Sequence, residues 1–163
     1  MNQGQLCSYV APWWMTPQIF ETYVDAQQLS LKYLKEVNYH VNPVVVFDID
    51  DTLLFSTRLD VIKPMLDLYN HIKSLGIPLV LITARAPQHY VYTENQLAFY
   101  GIVGYEQLLM CRYKTVDEIP QVKAVFREML STTRTVFLNV GDQDSDFEGG
   151  HFEYGIKLHS FLK

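Results

Sequence analysis

The chain has 163 residues, 48% of them apolar and 19% charged, which suits one domain with a sizeable core and argues against two ordinary domains or wholesale disorder. Thirteen basic residues against 18 acidic ones give a net charge of −5, and the basic residues form no tract, so a non-specific nucleic-acid binder is disfavoured. Two cysteines, Cys7 and Cys111, cannot build a disulfide framework, and no CxxC pair offers a zinc or redox site.

Residues 1–15 read as an irregular leader ending in Pro12-Trp13-Trp14-Met15. Thr16 has the character of a helix N-cap with Pro17 at the first helical position. Ile19, Phe20, Tyr23, Val24, Leu31, Leu34 and Val37 then recur at roughly helical spacing, which predicts a helix over 17–38. Asn42-Pro43 breaks it. Val44–Ile49 is an apolar, strand-like run that ends in acids. A helix over 62–75 closed by Gly76, a strand Leu79–Thr83, and a helix over 88–100 ending at Gly101 follow. Gln107–Cys111 is a weaker strand, 120–131 a helix, Thr135–Val140 a strand and Gly155–His159 a short last one. Strands alternating with helices imply right-handed βαβ units and a mostly parallel sheet, an α/β fold whose strands are apolar because both faces are covered. No apolar run approaches the roughly 20 residues of a membrane span. No Lys or Arg precedes Lys32 and no long apolar run opens the chain, so the reading expects no secretory signal, no membrane partner and a cytoplasmic location. The expected organisation is a leader and helix over 1–42 packed on a catalytic core over 43–163.

Ligands of open α/β sheets bind at the carboxyl ends of the strands. The first core strand ends in Asp48, Asp50, Asp51 and Thr52, the second in Thr83 and Arg85, and the strand at 135–140 in Asp142, Asp144 and Asp146, with Lys123 in the helix before it. Asp48 and Asp50 are two apart on an extended segment, so they can point the same way. Carboxylates gathered this closely repel unless a cation lies between them, and an all-oxygen set with open positions suits Mg²⁺. A lysine and a hydroxyl beside such a metal complete the parts of phosphoryl-transfer chemistry. Asp142, Asp144, Asp146 and Glu153 also fall at positions 1, 3, 5 and 12 of a calcium loop. The position that needs glycine holds Phe147, however, and a strand leads in where a helix should, so that reading is set aside.

The run Phe47-Asp48-Ile49-Asp50-Asp51-Thr52-Leu53-Leu54 resembles the DxDxT signature of the haloacid dehalogenase (HAD) superfamily. Thr83 in Leu81-Ile82-Thr83-Ala84-Arg85 is similar to its second motif, and Gly141-Asp142-Gln143-Asp144-Ser145-Asp146 to its GDxxxD motif. Lys123-Ala124-Val125-Phe126-Arg127 is similar to the KxxxR lysine motif of one subgroup, the class B acid phosphatases and plant vegetative storage proteins. The chain departs from these relatives at Ala84, where they usually have Gly, and at Gln96 in Thr93-Glu94-Asn95-Gln96-Leu97, where they have Asn.

The resemblance implies a three-layer domain with strand order 5-4-1-2-3 and Mg²⁺-dependent hydrolysis of phosphate monoesters. Asp48 would be the nucleophile that becomes an aspartyl-phosphate, and Asp50 the general acid and base. Thr83, Lys123 and Arg85 would bind the phosphoryl group, with Lys114 the competitor for the lysine's place. Asp48, the Asp50 carbonyl, Asp142 and Asp146 would hold the metal. Caps in this superfamily are inserted after the first or third strand, and both gaps here are too short for a folded domain, so the site should be open and without a large cap. The leader with Trp13 and Trp14 is left to pack on the core, to border the site or to form a homodimer contact. Two other readings stand beside the phosphatase: a storage or binding protein with vestigial activity, and a phosphatase of nucleic-acid ends, which the acidic charge disfavours.

Overall fold

The computed structural model describes residues 17–159, so the expectations on Cys7, Trp13, Trp14, Thr16 and the rest of the leader lie outside the described residues. Six strands, β1 (Gln18–Phe20), β2 (Pro43–Phe47), β3 (Leu79–Thr83), β4 (Gln107–Met110), β5 (Thr135–Gly141) and β6 (Tyr154–Leu158), form one sheet in the order β1-β6-β5-β2-β3-β4. Every pairing is parallel. The helices are α1 (Tyr23–Tyr33), α2 (Lys63–Ser74), α3 (Tyr90–Phe99) and α4 (Ile119–Ser131). Leaving out β1, the strands stand in the expected 5-4-1-2-3 order, and their boundaries fall within about two residues of those read from the sequence.

Side-chain alternation sorts the strands into two cores. Val45 and Phe47 of β2 face one way, into a cluster with Leu68, Tyr69 and Ile72 of α2 and Ala26 of α1. Val44 and Val46 face the other way, against Leu130 and Phe126 of α4. Burial of each such side chain stabilises the fold by about 1.5–3 kcal/mol, which is why central strands exposed on neither face read as unbroken apolar runs. This is a three-layer α/β domain. The loops after β2 (residues 48–62) and after β4 (residues 111–118) hold only turns, short bridges and a 3₁₀ turn, so no cap domain is inserted among the described residues. No helix of the described residues is long and apolar enough to cross a membrane.

The single helix expected over 17–38 is a correction. Gln18–Phe20 is a parallel edge strand on β6, with Gln18 opposite Ile156 and Phe20 opposite Leu158. The helix begins only after Thr22, whose extended backbone and hydroxyl, accepting from the Asp25 N–H at 3.1 Å, form the cap. A 3₁₀ stretch, Leu34–Tyr39, ends it. Apolar residues at 19, 20, 23 and 24 fit a helix by spacing, but the open edge of β6 offers pairing that local periodicity cannot register. Gly155 makes the approach feasible, since a Cβ there would meet the Pro17 Cα at 2.9 Å and the Phe152 ring at 2.8 Å. Tyr154 completes the attachment by stacking on Tyr33, centroids 4.0 Å apart, and donating to Glu36 at 2.6 Å. The segment from Pro17 onward is therefore part of the sheet and core.

Gly155→Ala should push Pro17 and β1 off the sheet edge, at a cost of about 1–3 kcal/mol for the overpacked contact. In a domain of this size that is a fall in Tm of about 3–10 °C. A melting curve unchanged within about 1 °C would contradict this account of β1.

Candidate active site

Of the acids expected at the strand ends, Asp48, Asp50, Asp51 and Asp142 line a cleft of about 310 Å³ at the carboxyl edge of β2 and β5. Asp48 follows β2 directly, its backbone N–H held by the Val140 carbonyl at 2.9 Å, and its side chain is buried. The chain then turns sharply. The Ile49 carbonyl accepts from the N–H groups of Thr52, Leu53 and Leu54, and Asp51 takes a left-handed conformation with φ 58°. The Asp51 carboxylate closes the turn by accepting from the Ser56 N–H at 2.9 Å and its hydroxyl at 2.7 Å. Asp is among the residues that tolerate this conformation.

Lys123 reaches the same point from the first turns of α4. Its ammonium donates to Asp48 Oδ1 at 3.1 Å and to Asp146 Oδ1 at 2.5 Å, with all three side chains nearly sealed from solvent. Burial alone would lower the lysine's pKa, but the two carboxylates outweigh it and hold the amine charged. Lys114, the competitor, is exposed, with its backbone N–H on Glu118. Arg127, one helical turn beyond Lys123, is also buried and donates to the carbonyls of Gly150 (2.9 Å) and Glu148, fixing the 147–151 turn against α4. Burial pulls the Arg127 pKa down to about 10, which leaves it charged at neutral pH.

The loop after β5 is shaped around Asp146. Asp146 Oδ2 accepts from the backbone N–H groups of Asp142 and Gln143, both at 3.0 Å, while its carbonyl accepts from the Asn139 amide at 2.8 Å. Gly141 is required here, because a Cβ would fall 2.4 Å from Asp146 Oδ2. Asp144 turns the other way and pairs with Lys157 in the open.

One carboxylate oxygen each from Asp48, Asp142 and Asp146 lies within 4.8 Å of the others. Burial raises the pKa of Asp48 above that of an ordinary carboxyl group, Asp146 adds to the rise, and Lys123 opposes it. Burial likewise raises that of Asp142, against the Gln143 amide that donates to its Oδ2 at 3.0 Å. Asp142 Oδ1 is buried with no hydrogen-bond partner. An orphaned buried acceptor of this kind costs about 1–3 kcal/mol. Three buried carboxyl groups share one lysine, and the donors are all oxygen, so the cluster fits a hard divalent cation, which would favour their ionised forms.

The other expected residues stand beside this cluster. Asp50 lines the cleft, but its carboxylate turns from the cluster to Arg85, which binds it bidentately through one edge, Nε to Oδ2 at 2.9 Å and Nη2 to Oδ1 at 2.7 Å. Asp48 and Asp50 therefore share a cleft while pointing at different partners, because the segment that carries them is a turn rather than extended strand. The buried Thr83 hydroxyl accepts from the Arg85 N–H at 3.1 Å. Arg85 Nη1 donates to Thr93 at 3.2 Å and Gln96 at 2.7 Å, contacts the sequence reading did not assign. It also left Asn139 unassigned, although a lone amide inside the apolar run Thr135–Gly141 was a legible signal, since a buried polar side chain needs a partner. Cys111 is buried, its thiol pushed up to about 11 by burial, so it stays protonated and unreactive at neutral pH.

A divalent cation should stabilise this site, by about 2.7 kcal/mol at a hundred times its Kd. The melting point should rise on adding Mg²⁺, Mn²⁺ or Ca²⁺ and fall back with a chelator. Asp142→Asn should abolish the shift. A Tm indifferent to all three ions would contradict the reading of the cluster as a cation site.

Comparison with known proteins gives the family and supports the fold, while Asp48 and Asp50 precede the matched stretch. The profile of the family described as HAD superfamily, subfamily IIIB (acid phosphatase), matches residues 56–161, a stretch that includes Thr83, Lys123, Asp142 and Asp146. Among solved structures, the class C acid phosphatase from Bacillus anthracis superposes with TM-score 0.62 at 21% identity over 78% of this chain and 62% of that one. The same enzyme with tungstate bound gives 0.65 at 21%, covering 78% and 64%. A chain of the Pnkp1/Rnl/Hen1 complex gives 0.64 at 18%, covering 75% and 47%. The chain thus spans less than two thirds of the length of these structures, and at such identities the likeness concerns the fold. A comparison with curated protein sequences returns no match. With the profile matching more than half of its length, the chain belongs to the HAD superfamily, subfamily IIIB (acid phosphatase).

Proposed function

We propose that the protein hydrolyses phosphate monoesters with the help of Mg²⁺, through a phosphoryl group carried transiently on Asp48. The observation that supports this most strongly is the buried junction of Asp48, Lys123 and Asp146 beside the unpartnered Asp142 Oδ1, at the floor of an uncapped cleft. Asp48, Asp142 and the Asp50 carbonyl would hold the ion, with Asp146 supporting it directly or through water. Bound there, Mg²⁺ would neutralise the carboxylates and polarise a phosphoryl oxygen.

The chain's own groups supply the rest. The Asp48 carboxylate attacks phosphorus, and the bond to the leaving-group oxygen breaks. Asp50 gives that oxygen its proton. A water molecule then attacks phosphorus, its proton passes to Asp50, and phosphate leaves with Asp48 restored. Lys123 offers fixed positive charge to the phosphoryl oxygens, and it also orients Asp48 before substrate arrives. The Thr83 hydroxyl lies at the next strand end for a further oxygen. Arg85 has four of its five N–H groups engaged by Asp50, Thr93 and Gln96, so it offers substrate at most one. The leaving group faces the open mouth, where short loops rather than an inserted domain border it, so the reading admits bulky phosphates as well as small ones.

Asp48→Asn should keep the fold, read by circular dichroism, and lose nearly all turnover of an aryl phosphate with Mg²⁺, because unaided monoester hydrolysis is slower by as much as about 10²¹-fold. Retention of more than about a tenth of the wild-type rate would reject Asp48 as nucleophile. Lys123→Ala should lower kcat about 10²–10³-fold, in the range of other lost transition-state contacts, while Lys114→Ala stays near wild type. The opposite ranking would reject the role given to Lys123.

A further inference from the structure

The second strand end holds a relay that the reaction above does not use. Thr93 and Gln96 are three apart on α3, so they share one face of the helix. Both accept from the same nitrogen, Arg85 Nη1, at 3.2 and 2.7 Å. That nitrogen carries two hydrogens, so it is saturated. The guanidinium is planar and rigid, and pinning Nη1 fixes the plane and direction of the edge formed by Nε and Nη2. This is the edge that grips the Asp50 carboxylate, at 2.9 and 2.7 Å. The Arg85 backbone is anchored as well, through its N–H to Thr83. Thr93 is fully buried and Gln96 and Arg85 are half-buried, whereas Asp50 sits on a turn and lines the cleft. The rigid part of the chain of contacts is therefore the helix, and the part it orients is Asp50.

We infer that Gln96, with Thr93, is a positioning residue for the reaction, aiming Asp50 by locking the Arg85 fork, and that this relay decides how well the enzyme handles substrates whose leaving groups need a proton. The inference rests on the proposed role of Asp50 as general acid. An alkyl phosphate depends on that proton far more than an aryl phosphate with a good leaving group. A loosened Asp50 should therefore penalise the first and largely spare the second.

The experiment measures the single-turnover rate of the phosphorylation step for an alkyl and an aryl phosphate with the Mg²⁺-loaded enzyme. Gln96→Met removes the acceptor at similar volume, and Gln96→Glu keeps an acceptor in its place. Gln96→Met should slow the alkyl substrate about tenfold and the aryl substrate less than about twofold, as small misplacements of an acid do. Gln96→Glu should stay within about threefold of wild type on both. Inhibition by inorganic phosphate should be unchanged, and Gln96→Met should add nothing in an Asp50→Asn background. Equal losses on both substrates, or weaker phosphate inhibition, would overturn the relay in favour of Arg85 acting on the phosphoryl group. A silent Gln96→Met beside an Asp50→Asn that penalises the alkyl substrate selectively would overturn the relay alone. An Asp50→Asn that spares the alkyl substrate would overturn the acid assignment and the relay with it. If Gln96→Met lowers the melting point, Gln96→Asn, which keeps the amide but draws it back by one methylene, must give the same alkyl-selective loss; its absence would overturn the relay.

Discussion

The site depends on one ammonium group. Lys123 lies between Asp48 and Asp146 in a nearly sealed region, and it joins three elements: the end of β2, the first turns of α4 and the loop after β5. Taking these charges out of water is expensive, of the order of several kcal/mol per ion, and only close pairing with further hydrogen bonds offsets it. The structure supplies those bonds at Asp146, through the amides of Asp142 and Gln143. It does not supply them at Asp142 Oδ1. One lysine cannot neutralise three carboxylates, and a proton shared between Asp48 and Asp142 or a bound cation would relieve the imbalance.

Much around this junction exists to hold it still. Gly141 leaves room for the Asp146 carboxylate to fold back onto the loop's own backbone. Asn139, within β5, ties the far side of the same residue. Arg127 clamps the turn that follows to the helix that carries Lys123. Parallel strands place these groups at one edge, and the two apolar clusters on either face of the sheet fix the strands themselves. Function at such an edge follows from precise placement on rigid elements more than from any single residue.

How much of this was legible in the sequence differed by level. The central strands were plain, because burial on both faces leaves continuous runs such as Val44–Phe47 and Leu79–Ile82 bounded by polar turns. The acids at 48, 142 and 146 stand after apolar strands, where an ordinary polar turn is equally at home, and it is the resemblance of the runs that carry them that singles them out. What was not legible was pairing over long distance. Pro17–Phe20 has the spacing of a helix, and only the free edge of β6 and the gap at Gly155 make it a strand. The partners of Asp50 and Asp48 diverge because a turn begins at Ile49, a detail that motif spacing does not carry. Gln96 was noticed as a departure, but its meaning needed the position of Arg85, eleven residues earlier in sequence and one hydrogen bond away in space.

The central claim is that the buried, lysine-held carboxylate of Asp48 is the atom group that takes up phosphorus. The most direct measurement is to mix the Mg²⁺-loaded enzyme with excess phosphate monoester, quench in acid during turnover, and locate the phosphoryl group by peptide mass spectrometry. The account predicts a phosphorylated peptide containing Asp48, absent when the substrate is omitted and absent in Asp48→Asn. A phosphoryl group found on another residue, in an enzyme turning over at full rate, would contradict it.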